Sequence, residues 1–210
     1  MSANWAEENL NTIRALMERA SIYRRALAPV SIITGILGII GAGAAQFTGL
    51  GVGGSSFAGY WMCVAVMTTL VGFMVMRGQA ARAGERFWSP PTRRVAQAML
   101  PLLLAGFLMG LLALRDVPGI NPDSIRLTAL WMILYGGALH AAGFFMRRGL
   151  KLFGWIYLLL GIACLFLNEF ELMSWFNESR AHLLMGWAFG VNHLAYGLYL
   201  RMTSEPREME

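Results

Sequence analysis

The chain has 210 residues, of which 57% are hydrophobic and only 14% are charged, and its formal net charge is +5. So few charged residues exclude a water-soluble globular fold, which carries about a quarter. The basic excess predicts no nucleic-acid partner, because the arginines flank apolar stretches, where membrane insertion places them. We therefore expect an integral protein of the lipid bilayer.

The first 25 residues predict a cytoplasmic amphipathic helix. Asn4 and Glu7 form a capping box, and apolar residues recur at helical spacing from Leu10 to Ala20. Such a helix would lie in the membrane interface or dock onto a cytoplasmic protein partner. Both alternatives stay open at this point.

Six apolar stretches follow, and each is near the roughly 20 residues that cross the hydrocarbon of a bilayer. They cover residues 26–47, 56–76, 95–114, 127–146, 152–168 and 181–200. The predicted fold class is an all-α membrane protein whose six transmembrane helices form three consecutive hairpins. This domain would extend over 26–201 and leave a short cytoplasmic tail at 202–210.

The distribution of basic residues predicts the orientation. Of the 17 Lys and Arg residues, all but Arg115, Arg126 and Arg180 fall on one side of the predicted spans. Because short cytoplasmic loops carry the excess of Lys and Arg, both termini are predicted in the cytoplasm. Only one of the 17 is lysine, which is typical of a genome rich in G and C. The predicted location is the inner (cytoplasmic) membrane of a bacterium.

Glycines four residues apart predict where helices approach one another. Gly106 with Gly110, and Gly186 with Gly190, have this spacing within spans. Small residues let helix backbones come close in lipid, where the hydrophobic effect does not drive association. We interpret both pairs as packing faces within the protein.

Two histidines inside the spans are candidate cofactor ligands. His140 and His193 lie in the fourth and sixth spans, at matching depths of roughly 10 to 12 Å from the cytoplasmic ends. Histidines on separate helices can ligate haem iron axially or donate to a quinone carbonyl. A hydrogen-bonding role between helices is the alternative. The polar side chains expected around them are Asn192, Tyr196, Tyr135 and, through a weak repeat among the even-numbered spans, Thr69.

A second group of polar residues lies at the outer end of the sixth span. His182 is expected to be exposed to water, with Glu178 one turn earlier and Glu169 and Glu171 in the same loop. These residues would form an external metal or pH-sensing site, or simply a solvated end of the span. No carboxylate falls securely inside any span, which argues against a proton pump.

The sizeable soluble surfaces are the N-terminal helix and an arginine-rich loop from Arg77 to Arg94. An apolar patch in that loop, formed by Phe87, Trp88, Pro90 and Pro91, would contact lipid headgroups or dock a partner. The leading hypothesis is a non-catalytic membrane protein that is sensory or regulatory through these two elements. The alternative is a haem- or quinone-binding redox protein using the paired histidines, and the third hypothesis is a small-solute carrier.

Two segments resemble a family of bacterial six-helix integral membrane proteins of unknown function. They are residues 13–20, with the sequence Ile-Arg-Ala-Leu-Met-Glu-Arg-Ala, and residues 182–193, which contain His-Leu-Leu-Met-Gly and Phe-Gly-Val-Asn-His. The likeness spans most of the chain. It implies the six-helix fold, and it implies no catalytic or binding residue because no activity is established for that family.

Overall fold

The computed structural model describes residues 27–84, 87–115, 123–146, 148–172 and 177–203. All regular structure in these ranges is helical. The predicted amphipathic helix at 1–25 and most of the predicted tail lie outside the described residues.

Five helices are long and apolar enough to cross a membrane. They are α1 (Leu27–Thr48), α2 (Gly54–Arg82), α3 (Pro90–Leu114), α4 (Ser124–Ala142) and α5 (Arg148–Glu169). An all-helical chain with several candidate spans is thus confirmed.

The last helical run, α6, is interrupted by a π-helical turn. It consists of Ala181–Met185, the π segment Gly186–Val191, and Asn192–Met202. This run is not among the five candidate spans.

The arginine-rich loop is shorter than predicted. Helix α2 continues past the predicted end of its span to Arg82, and α3 already begins at Pro90. Arginine favours helix and proline is well tolerated in the first helical turn, so both helices continue beyond the apolar stretches. Within the short connection, Phe87 packs edge to face on Phe73 with ring centroids 4.9 Å apart.

Helices α1 and α6 meet backbone to backbone. A Cβ atom added at Gly35 would lie 2.5 Å from the backbone nitrogen of Leu194, and one added at Gly190 would lie 2.9 Å from that of Ile39. Towards the other end, an added Cβ at Gly197 would meet Ile32 in the same way. The partner residues run in opposite directions, so α1 and α6 are antiparallel neighbours along most of their length.

Helices α4 and α5 form a second seam of this kind. A Cβ atom at Gly154 would lie 2.6 Å from the backbone nitrogen of His140, and one at Gly136 would lie 2.7 Å from that of Leu158. These close approaches leave no space for side chains between the two backbones. They fix how α4 and α5 are rotated, and therefore which of their side chains reach α6.

Candidate functional site

His193 is the centre of a hydrogen-bond network that joins three helices. Its Nε2 atom lies 2.7 Å from the hydroxyl oxygen of Tyr135 on α4, and its Nδ1 atom lies 2.9 Å from that of Tyr157 on α5. The histidine is only 4% exposed. Tyr135, Tyr157 and His193 are called the histidine–tyrosine centre below.

The hydrogen-bond directions follow from the number of protons available. Tyr157 donates its single hydroxyl proton to the carbonyl oxygen of Ala188, so its oxygen acts as an acceptor towards His193. The Nδ1 atom of His193 must then carry a proton, and in the neutral ring Nε2 accepts from Tyr135. Both ring nitrogens are thus engaged. Because Ala188 lies in the π segment, the network also holds this irregular turn of α6 against α5.

Aromatic rings surround the centre. Phe153 of α5 meets the His193 ring edge to face with centroids 5.4 Å apart. The ring of Phe189 is nearly parallel to the His193 ring, with centroids 6.3 Å apart. Tyr196 stacks on Phe153 at 4.1 Å. The predicted neighbour Tyr196 therefore reaches His193 through Phe153, whereas the predicted neighbour Tyr135 touches it directly.

His140 is not brought to His193. Its ring contacts Phe144 and Trp155 at centroid distances of 5.4 and 5.3 Å. Tyr135, which does reach His193, precedes His140 by five residues, and this spacing places the two side chains about 140° apart around α4. The two histidines are not brought together, so the described geometry does not offer one haem iron two axial histidines.

The other predicted members of the cluster lie elsewhere. Thr69 is on an exposed face of α2. Asn192 is next to His193 in sequence, but its side chain lines a groove between α5 and α6. Its Nδ2 atom is buried and has no hydrogen-bond partner among the described residues.

His182 is buried, and this corrects the expectation that it is exposed to water. Only 2% of its surface is accessible, because aromatic residues at the start of α2 cover it. Its Nδ1 atom accepts a hydrogen bond from the indole nitrogen of Trp61 at 3.0 Å. The rings of Phe57 and Tyr60 lie 5.1 and 5.7 Å away.

Glu178 contacts α4 and has no direct hydrogen bond to His182 in the described structure. Its carboxylate accepts from the backbone nitrogen of Ser124, at 2.9 Å, and from the hydroxyl of the same residue. This carboxylate therefore stabilises the first turn of α4, while Arg126 pairs with Glu169 of α5 beside it. Within the described ranges, no group of three or more His, Cys, Asp and Glu residues is placed to hold a metal ion.

Two contributors to these sites were missed by sequence reasoning. Tyr157 and Trp61 each interrupt an apolar span with a hydrogen-bonding group, and that interruption was the available signal. A buried tyrosine or tryptophan usually needs a partner for its O–H or N–H.

In comparisons with known proteins, no family model matches this chain, and no curated protein or solved structure matches it. The class of protein is therefore defined by fold and site alone. It is an all-helical protein with several candidate membrane spans and a buried histidine–tyrosine centre at the junction of α4, α5 and α6.

Proposed function

We propose that this chain is a six-span protein of the bacterial inner membrane, with both termini in the cytoplasm. Five helices already qualify as spans by length and composition. The sixth crossing is supported by the antiparallel seam, because a helix that lies beside α1 along most of its length covers the same depth of membrane. Membership of the six-helix family that the sequence resembles is part of the same proposal.

The proposed role is sensory or regulatory, without catalysis. The observation that carries it is the closed histidine–tyrosine centre, whose imidazole is buried and hydrogen-bonded at both nitrogens. A group engaged in this way joins helices and is poorly placed to act on a substrate. Such a centre links α4, α5 and α6 through shared hydrogen bonds. A movement of one of these helices would therefore shift the other two.

The two other functions rest on weaker support. Axial haem ligation requires the rings of His140 and His193 to face each other. Instead, His140 contacts Trp155 of α5, whereas His193 contacts Phe153 of the same helix. A small-solute carrier requires a polar site near the middle of the membrane that opens to each side in turn. The buried histidine–tyrosine centre supplies polar groups, but these are bonded to one another.

The proposed cytoplasmic surface for regulatory contacts is the turn between α2 and α3, together with the N-terminal helix. In that turn Phe87 is held against Phe73, while the neighbouring Trp88 is 61% exposed. Exposed arginines, Arg82 and Arg93, lie on the two adjoining helices. An exposed tryptophan between basic helix ends suits a protein partner at the membrane surface or the lipid headgroups themselves.

Photo-crosslinking in living cells tests this surface. A photoreactive phenylalanine analogue at Trp88 is expected to give discrete adducts with another protein, because the Trp88 side chain is 61% exposed next to the packed ring of Phe87. The matched control is the same analogue at Phe47, at the C-terminal end of α1. The Phe47 side chain is 92% exposed, and this position should give lipid adducts alone. Lipid adducts alone at both positions would contradict a regulatory interface at the turn.

A further inference from the structure

The contact between Trp61 of α2 and His182 of α6 fixes the proton positions of the histidine. An indole N–H group can only donate a hydrogen bond, and the Trp61 Nε1 atom lies 3.0 Å from the Nδ1 atom of His182. Nδ1 is therefore an acceptor without a proton, and in the neutral ring the proton is on Nε2. The contact thus requires a neutral imidazole in one defined tautomer.

Uptake of a proton by His182 is incompatible with this contact. An imidazolium carries N–H groups at both ring nitrogens, so two donors would face each other where the Trp61 indole now donates. The ring is also buried among Phe57, Tyr60 and Trp61, where a new charge loses its hydration. Aromatic faces attract a cation, but that attraction does not remove the two opposed donors. A protonated His182 is therefore more favourable when the ring leaves the indole and reaches water.

The groups that face His182 from its surroundings leave the imidazole as the one that responds near neutral pH. Among the described residues, Glu178 is the one whose charge acts on the ring, and its carboxylate is bonded to the first turn of α4. On α2 the titratable neighbour is Tyr60, whose hydroxyl donates to the carbonyl oxygen of Gly41 on α1. The turn between α1 and α2 presents the uncharged backbone of Gly51. Histidine is the side chain that ordinarily changes charge between about pH 5 and 8.

The contact lies at the start of α6, where the helix is joined to its neighbours at two points. His182 joins it to α2, while Glu178 joins the preceding turn to α4. The π segment begins at Gly186, one turn after His182, and its Ala188 carbonyl accepts from Tyr157. The first turn of α6 therefore leads directly into the segment that the histidine–tyrosine centre holds.

We propose that the Trp61–His182 contact is a pH-sensitive switch, which opens between α2 and the start of α6 when His182 takes up a proton. The contact is kept at neutral pH, and a pH below about 6.5 favours the open form. The incoming proton is held on Nδ1, the atom that the indole releases. The proposal rests on the sensory role and the topology proposed above, which place the contact at the outer face of the membrane, and it names the proton as the stimulus. The chemistry of the contact does not depend on the direction in which α6 crosses.

The test is the indole N–H signal of Trp61 in nuclear magnetic resonance spectra of the full chain in micelles, labelled with ¹⁵N-tryptophan and recorded from about pH 7.5 to about pH 5. The variant Trp61→Phe assigns the signal. Its downfield shift should be lost as the pH falls, because the hydrogen bond to His182 breaks. A water-soluble gadolinium chelate should then broaden the signal at the lower pH only. Trp131 is the internal control, because its indole donates to the carbonyl oxygen of Gly106, which does not titrate.

His182→Asn is the matched variant, because its amide oxygen can accept from Trp61 in place of Nδ1 and does not titrate. Its Trp61 signal should be the same at both ends of the pH range. Imidazole ¹⁵N signals of the native chain need no substitution at His182, and near pH 7.5 they should place its proton on Nε2.

Four results would overturn the proposal. They are a Trp61 signal that does not change in the native chain, an equal change at Trp131, a change that persists in His182→Asn, and a neutral His182 ring with its proton on Nδ1. None of them depends on crosslinking at Trp88 or on the direction of α6 across the membrane, so this proposal and the proposed function fail separately.

Discussion

The substitution Gly35→Ala is expected to lower the free energy of unfolding by at least about 2 kcal/mol. The added Cβ would lie 2.5 Å from the backbone nitrogen of Leu194 and 2.8 Å from the carbonyl oxygen of Gly190. Backbone atoms cannot rotate away as the end of a side chain can. Helices α1 and α6 must therefore separate, and the dispersion contacts along the seam weaken.

The control is Gly43→Ala in the same helix, where nothing lies within 4 Å of the added Cβ. This change should leave the free energy of unfolding within about 0.5 kcal/mol or raise it slightly, because alanine favours helix. Equilibrium unfolding of the purified protein in mixed micelles, driven by an increasing fraction of dodecyl sulfate, measures both variants. Equal effects of the two substitutions would show that the α1–α6 seam is not closely packed.

The substitution Tyr157→Phe is expected to destabilise the protein by about 1–2 kcal/mol, and Tyr135→Phe by less than about 1 kcal/mol. The Tyr157 hydroxyl accepts from His193 and donates to Ala188, so its loss removes two buried hydrogen bonds. Loss of the Tyr135 hydroxyl leaves only the Nε2 atom of His193 unpaired. The order of the two variants is thus a consequence of the hydrogen-bond directions.

A double-mutant cycle checks that order in the same unfolding assay. In a His193→Leu background the partner of Tyr135 is already absent, so Tyr135→Phe should then have almost no further effect. Tyr157→Phe should keep part of its effect in that background, because the hydrogen bond to Ala188 remains to be lost. If Tyr135→Phe costs as much as Tyr157→Phe in the native background, the assigned proton positions are wrong.

Hydropathy alone predicted where most of the helices lie. The five candidate spans fall on five of the predicted apolar stretches, because a run of about 20 apolar residues has little alternative to helix in lipid. The spacing of Gly186 and Gly190 also predicted a packing face, and both glycines meet α1. The extension of α2 to Arg82 was missed, since helical arginines beyond the hydrocarbon carry no apolar signal.

The helices that carry the candidate site were predictable, but their rotation was not. The position of His193 along the chain placed it near Tyr135, and the two are hydrogen-bonded. His140 was predicted at the depth of His193 but faces another way, because the α4–α5 glycine seam sets the rotation of α4. The contact between Trp61 and His182 joins residues 121 positions apart. Such a pairing depends on how α2 and α6 assemble, and no local sequence pattern encodes it.

The most direct test of the six-span topology is cysteine labelling on both sides of α6 in intact cells. The two native cysteines, Cys63 and Cys164, are both free and would first be replaced by alanine. Single cysteines are then placed at Leu172, which is exposed after α5, and at Thr203, which is exposed after α6. A membrane-impermeant maleimide should label position 172 in intact spheroplasts and position 203 only after lysis. Labelling of both positions from the same side would contradict a sixth crossing and, with it, the cytoplasmic location of both termini.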